Sequence, residues 1–360
     1  ALYWVEEFHV DGLRLDAVHA ISDRSPRHIV AEIADALREG PGRERHVHLV
    51  IENDANQSRH LERDAASVPR CATAQWNDDL HHAAHVLLTG EADGYYADYA
   101  DAPLARLGRA LADGFVYQGE ASPFRDGAPR GEPSAHLPPT AFVSFLQTHD
   151  QVGNRALGQR LHALADPRLE RTALACLLLA PHVPLLFMGE EFAASTPFLY
   201  FCDFEPGLAR AVAEGRRREF ARFVDFGGDE ARERLPDPGS AQTFEASKLR
   251  WSERDKGAHG ERLALVGELL ALRHRHVVPR LRGAQGGGRL ELIEGVLRVE
   301  WRMGDGARLR LLAHFGARNV LVPPLLAGET IYSDGVSATA DGGARLAAGA
   351  VHILLAPADG

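Results

Sequence analysis

The sequence is poor in cysteine, methionine and lysine, with three, two and two of them among 360 residues. Cys71, Cys176 and Cys202 are odd in number, scattered and without a Cys-x-x-Cys pair, which excludes a disulfide framework and a cysteine-based zinc site. A reducing, cytoplasmic setting is therefore expected. No run of about 18 apolar residues occurs. The N-terminus also lacks the charged, apolar, small-residue succession of a secretory signal, so neither a membrane segment nor export is expected. A formal charge of -10 removes the basic footprint of a nucleic-acid binder. The scarcity of lysine beside 38 arginines reads as coding bias in a GC-rich bacterium. What the chain does have is 45% apolar residues, enough for one barrel-sized domain plus a small one.

Strand and helix patterns alternate along most of the length. Ala1 to Val10 reads as the end of a helix, and Val10 to Leu15 as a strand. A helix capped by Ser25, with Pro26 in its first turn and Gly40 at its end, carries the stripe Ile29, Val30, Ile33, Ala34 and Leu37. His46 to Ile51, Cys71 to Trp76, Thr140 to Gln147 and Val183 to Met188 are further strands. The continuous apolar character of the last predicts burial on both faces. Helices are expected at Gln57 to Asp64, Leu80 to Leu88, Pro103 to Asp113, Arg168 to Leu179, Arg210 to Phe223 and Glu261 to Arg275.

From about residue 279 short alternating runs between glycine-rich turns indicate a small antiparallel β-sandwich. The division is thus 1–278, an α/β portion, and 279–360, an all-β domain. Five strand-helix units fall short of the eight of a (β/α)8 barrel, so the α/β portion reads as the last five units of an N-terminally truncated barrel. An open doubly wound sheet is the alternative.

Three acids stand where apolar runs break off: Asp16, Glu52 and Asp150. In a parallel barrel all strand C-termini open on one face, and two carboxylates there suffice for glycoside hydrolysis. Arg14 and Asp16 share a strand face, so the guanidinium can hold that carboxylate ionised, as a nucleophile requires. Glu52 ends an apolar strand, where desolvation raises a carboxyl pKa toward that of a general acid. His149 and Asp150 could grip two sugar hydroxyls and support a cationic transition state. Taken singly, each acid also fits an ion pair or a solvated rim. His81 and His85 stand at i, i+4 on a helix, but His82 occupies the place where a metalloprotease has Glu, so no metal is expected. The long loop Gly119 to Pro139 is expected on the face of the acids. Trp76, Tyr95 and Tyr96 could stack on sugar rings or be buried. Glu190 and Glu191 read as the start of a helix.

The segments Asp11-Gly-Leu-Arg-Leu-Asp-Ala-Val-His19, Leu49-Val-Ile-Glu-Asn-Asp54 and Phe145-Leu-Gln-Thr-His-Asp150 resemble, in order, three signature regions of the α-amylase superfamily. Trp76-Asn-Asp-Asp-Leu-His-His82, Gly90-Glu-Ala-Asp-Gly-Tyr-Tyr96 and Gln151-Val-Gly-Asn-Arg155 resemble its malto-oligosyltrehalose trehalohydrolase family. The resemblance implies hydrolysis, with retained configuration and no cofactor, of the α-1,4 bond next to the terminal trehalose of malto-oligosyltrehalose. It implies Asp16 as nucleophile, Glu52 as general acid and base, and Asp150 as transition-state stabiliser. Arg14, His19, Asp78, Asp79, His81, His82, His149, Gln151 and Asn154 match the stretches that contact substrate. No residue matches the superfamily's remaining signature region. A glucan branching or other transferring enzyme, and an inactive glucan-binding fragment, are the alternatives.

Overall fold

The structure, a computed structural model, describes residues 1–220, 235–325, 327–340 and 342–358. A short helix α1 (Leu2–Glu7) precedes β1 (Gly12–Leu15), α2 (Ile29–Glu39), β2 (His48–Ile51), β3 (Ala74–Trp76), α3 (Asp78–Thr89) and α4 (Pro103–Asp113). Then come β4 (Phe142–Ser144), α5 (His149–Asn154), α6 (Pro167–Leu179), β5 (Val183–Pro184), α7 (Pro206–Phe220), α8 (Ala241–Ser247) and α9 (Gly257–Leu272). The chain ends in β6 (Arg289–Ile293), β7 (Val296–Arg302), β8 (Arg308–His314), β9 (Val320–Val322), β10 (Glu329–Ala338) and β11 (Ala344–Ala356). The end of the helix expected over 210–223 lies outside the described residues. No described helix is long and apolar enough to cross a membrane.

Two compact units emerge, one of Ala1–Leu146, Arg171–Leu185 and Leu269–Gly360, the other of Gln147–Glu170 and Leu186–Glu268. In the first, β1 to β5 form one parallel sheet in sequential order. A doubly wound sheet would reverse its order part-way, so the sheet is the partial barrel. Leu15 is level with Ile51, Ile51 with Gln75, and Trp76 with Val143, so the strands end in one row. Behind them α2 buries Val30, Ala34 and Leu37, which its 3.6-residue period brings to one face. Val5 joins Ala34, Leu37 and Leu49 in one cluster, while Ile51, Leu61, Phe115 and Phe142 anchor another.

Three local expectations change. His28, not Ser25, caps α2, its Nδ1 accepting the Val30 N–H at 3.3 Å, because Asp23 ties up the Ser25 and Ile29 N–H groups in the preceding turn. The segment 183–188 is strand only at Val183–Pro184, and Val183 and Met188 are exposed, so it is not buried on both faces. Proline has no N–H for the ladder. The expected helix over 57–64 is a single 3-10 turn, Ser58–Leu61.

The loop after α4 lies on the acid face of this unit. It folds back through an Ala121–Pro129 bridge, and Arg130 Nε donates to the Asp54 carbonyl at 2.9 Å. Gly131 makes the return possible: its φ is +85°, and a Cβ there would stand 1.8 Å from the Tyr117 carbonyl oxygen. Gly131→Ala is expected to lower unfolding stability by about 2 kcal/mol or more. An unchanged urea midpoint would show that the loop gives way freely.

In the β domain, β11 pairs with β8 over Val351–Ala356 and with β9 over Ala344–Leu346. One strand thus serves both layers, and the antiparallel sheet curls over Val296, Val322, Ala344, Leu346 and Ala350. β10 escapes sequence reading because only Ile331 and Tyr332 in it are buried and two register shifts break its alternation. Helix α4 packs on β6 and β7, where Gly108 faces Leu290 and Leu297 and the Trp301 indole donates to the Leu111 carbonyl at 3.0 Å.

In the second unit Glu190 and Glu191 open only a 3-10 turn, Glu190–Phe192, where the start of a helix was expected. Glu190 is buried, with Oε2 accepting the Phe187 N–H, and burial pushes its carboxyl up to about 8.

Candidate active site

Period-2 alternation puts Arg14 and Asp16 on one side of β1, and the level register brings Glu52 beside them. One Arg14 nitrogen lies 2.7 Å from Asp16 Oδ1 and the other 2.8 Å from Glu52 Oε2. The guanidinium also sits 4.0 Å above the Trp76 ring. A single cation, stacked on the end of β3, therefore holds both carboxylates. Asp16 is open, its side chain 79% exposed, whereas that of Glu52 is 18% exposed. Glu52 Oε2 also accepts the Ala17 N–H at 3.0 Å. Burial raises the Glu52 carboxyl above its ordinary value, with Asp16 adding to the rise and Ala17 and Arg14 opposing it. Two neighbouring acids thus differ in exposure and in how strongly their surroundings favour the protonated form.

His19 lies close by, its Nδ1 accepting the Asp54 N–H at 3.2 Å. Asn77 caps α3 by accepting the Leu80 N–H, which places Asp78 in the first turn. Burial, and then the charge of Glu52, push the Asp78 carboxyl up to about 8. Asp79 is different. It is fully buried and accepts from Asn56 at 2.8 Å, from the Val116 and Tyr117 N–H groups at 2.6 and 3.0 Å, from Tyr99 and from Arg130. These donors tie the Asp79 carboxylate to the loop and to Asn56.

His81 and His82 are buried as well, 1% and 8% exposed. His81 places its ring nitrogens 2.6 Å from the Leu146 carbonyl and 3.0 Å from the Tyr96 hydroxyl. His82 packs against Tyr95 and Tyr99, and burial holds its pKa well below the ordinary value, so it is neutral. Both rings are packed within the unit, against Leu146 and the tyrosines that follow α3. His85 faces Glu91 at 2.7 Å and stacks on Tyr96.

Sequence reasoning missed Arg125 and Arg130, which converge from the loop on Asp54. The only signal for them was the length of the loop itself. Tyr95 and Phe124 are exposed side by side, their rings 6.2 Å apart, whereas Trp76 is half-buried.

The remaining expected residues belong to the second unit. β4 stops at Ser144, so Asp150 does not end a strand but stands in the first turn of α5. Thr148 starts that helix with a capping box that engages the Gln151 side chain. Asp150 is exposed and accepts from Asn154 Nδ2 at 2.8 Å, and His149 is exposed beside it.

Comparison with known proteins adds descent to this geometry. The malto-oligosyltrehalose trehalohydrolase of Mycobacterium tuberculosis is 41% identical over 277 residues, which are 76% of this chain and 46% of that protein. The enzyme of that name from Saccharolobus solfataricus is 42% identical over 258 residues, 70% of this chain and 42% of its own length. The chain is a homologue of the malto-oligosyltrehalose trehalohydrolases. It spans about half the length of the trehalohydrolases it matches. A crystal structure from Salmonella typhimurium, provisionally assigned as an α-amylase, superimposes with a TM-score of 0.91 at 45% identity over 99% of this chain and 59% of that one. A cyclic maltosyl-maltose hydrolase of Arthrobacter globiformis shares the fold alone, with a TM-score of 0.53 at 16% identity over 99% of this chain and 58% of the other. Residues 285–356 match a family model described as a domain of unknown function, DUF3459.

Proposed function

We propose that this chain supplies the catalytic acids of a retaining glycoside hydrolase that cleaves the α-1,4 bond next to the terminal trehalose of malto-oligosyltrehalose. The observation that carries the proposal is Arg14 binding Asp16 and Glu52 at the ends of adjacent parallel strands. Asp16 attacks the anomeric carbon and forms a glycosyl ester. Glu52 gives its proton to the departing trehalose oxygen, then takes one from the water that cleaves the ester. Retention calls for carboxyl groups about 5 Å apart. Asp150 supports the positive charge on the sugar ring in the transition state. Arg14, His19, Asp78, His149 and Asn154 bind or orient the glucan, while Asp79, His81, His82 and Gln151 position the elements that carry them.

The three unpaired cysteines suit a reducing compartment, and we place the protein in the cytoplasm. The proposed division falls at 278/279, a few residues before the family match begins.

The test is incubation with malto-oligosyltrehalose of the chain alone and of the chain joined to the N-terminal portion of a 41%-identical trehalohydrolase. Free trehalose is the expected product. New branch points without trehalose would favour the transferring alternative, and neither product from a folded fusion would favour the glucan-binding fragment.

A raised Glu52 pKa sets the pH profile. The acid is active while protonated, so kcat/KM should fall as pH rises through that raised pKa. Removing Arg14 removes a charge that favours ionised Glu52. Arg14→Gln is therefore expected to move this alkaline limb to higher pH, besides slowing turnover by about tenfold or more through loss of orientation. A limb that stays in place would take the proton-donor role away from Glu52.

A further inference from the structure

Under the Pro323-Pro324-Leu325 turn that follows β9, the β domain holds a cavity of about 90 Å³ remote in sequence from the acids. Its floor is one face of the curled sheet. Leu312 pairs across the strands with both Arg298 and His352, and in the next row Leu354 pairs with Arg310, so these five side chains share that face. Val322 and the turn supply the wall.

Two features define what fits. The first is polarity. His352 is 8% exposed, and its Nδ1 has no hydrogen-bond partner among the described residues. Burial lowers its pKa, so the ring is neutral and can exchange one hydrogen bond with an uncharged group. Arg298 is held by Glu291 at 3.1 Å and Arg310 by Glu300, so neither arginine is free to neutralise an incoming acid. An unpaired carboxylate would be costly to desolvate here. The second feature is shape. Apart from the His352 imidazole the lining holds no aromatic ring, so a pyranose finds no Phe, Tyr or Trp face to stack on. An apolar cavity of about 150 Å³ admits benzene, so this one suits a body of about five carbons.

We propose that this cavity binds a small neutral aliphatic or alicyclic molecule bearing one hydroxyl, its hydrocarbon against Leu312, Val322, Leu325 and Leu354 and its hydroxyl on His352 Nδ1. Cyclopentanol is a suitable probe, titrated into the 360-residue chain and followed by saturation-transfer NMR. Saturable binding is expected, with cyclopentanecarboxylate about tenfold weaker or worse and maltose unable to displace it. His352→Leu keeps the fold, replacing an unpaired nitrogen by an apolar group, and is expected to weaken binding about fivefold. Leu325→Trp enlarges a half-buried side chain that packs on the core at the mouth, so it should abolish binding, with the thermal transition checking that the variant is folded. Absence of saturation, undiminished binding by either folded variant, or displacement by maltose would overturn the proposal.

Discussion

Asp16→Asn is expected to slow trehalose release by on the order of a thousandfold or more, because the amide cannot form the glycosyl ester on which the retaining route depends. The substitution is nearly isosteric. It leaves β1, the Arg14–Trp76 stack and the Arg14–Glu52 pair in place, so the loss should fall on kcat with the thermal transition unmoved. Glu52→Gln offers the contrast. A glucosyl fluoride, whose leaving group needs no proton, should restore much of the first step in Glu52→Gln and none of it in Asp16→Asn. Near-normal turnover by Asp16→Asn would remove Asp16 from the nucleophile role, and equal rescue of both variants would merge the two roles that their environments separate.

Arg130→Met should be the most damaging substitution for stability, by about 3–5 kcal/mol. Arg130 is 4% exposed and lies 3.1 Å from Asp79 and 3.1 Å from Asp54, with its other nitrogen 2.7 Å from the Tyr99 hydroxyl. Methionine fills much of the space but leaves the carboxylate of Asp79 buried without its counter-charge. Chemical denaturation measures the effect, and Asp79→Asn added to Arg130→Met should recover part of it, since the double variant no longer buries a lone charge. A midpoint within error of the parent would show that Asn56, Tyr99 and the backbone donors satisfy Asp79 by themselves.

These two outcomes separate what each residue type can reveal in advance. Asp16 and Glu52 were legible because strand ends can be read from apolar runs, and a parallel register then forces their meeting. Asp79, His81 and His82 were legible as a polar cluster, but their burial was not. The helix that carries them is buried on nearly every side, and burial is a property of what packs around a segment. Arg130 had no local signature at all. Its value comes from a loop that returns from residue 119 to residue 130 to meet Asp54 and Asp79. The strand-end placement of Asp150 failed for a nearer reason: Phe145 and Leu146 extend the apolar run beyond the last paired strand residue, so strand and loop look alike until the ladder is seen.

The sequence by itself determined the alternation of strands and helices in the α/β portion, the antiparallel character of the strands near the C-terminus, and the pairing in type of an arginine with strand-end acids. Each follows from periodicity or near-neighbour chemistry. The tertiary structure alone decided that one guanidinium bridges Asp16 and Glu52, that Asp79 is held by internal donors, and that β11 curls the last sheet and leaves a cavity beside His352. Those depend on distances between segments far apart in the chain, and hydrogen-bond saturation and desolvation act through distance, not through sequence order.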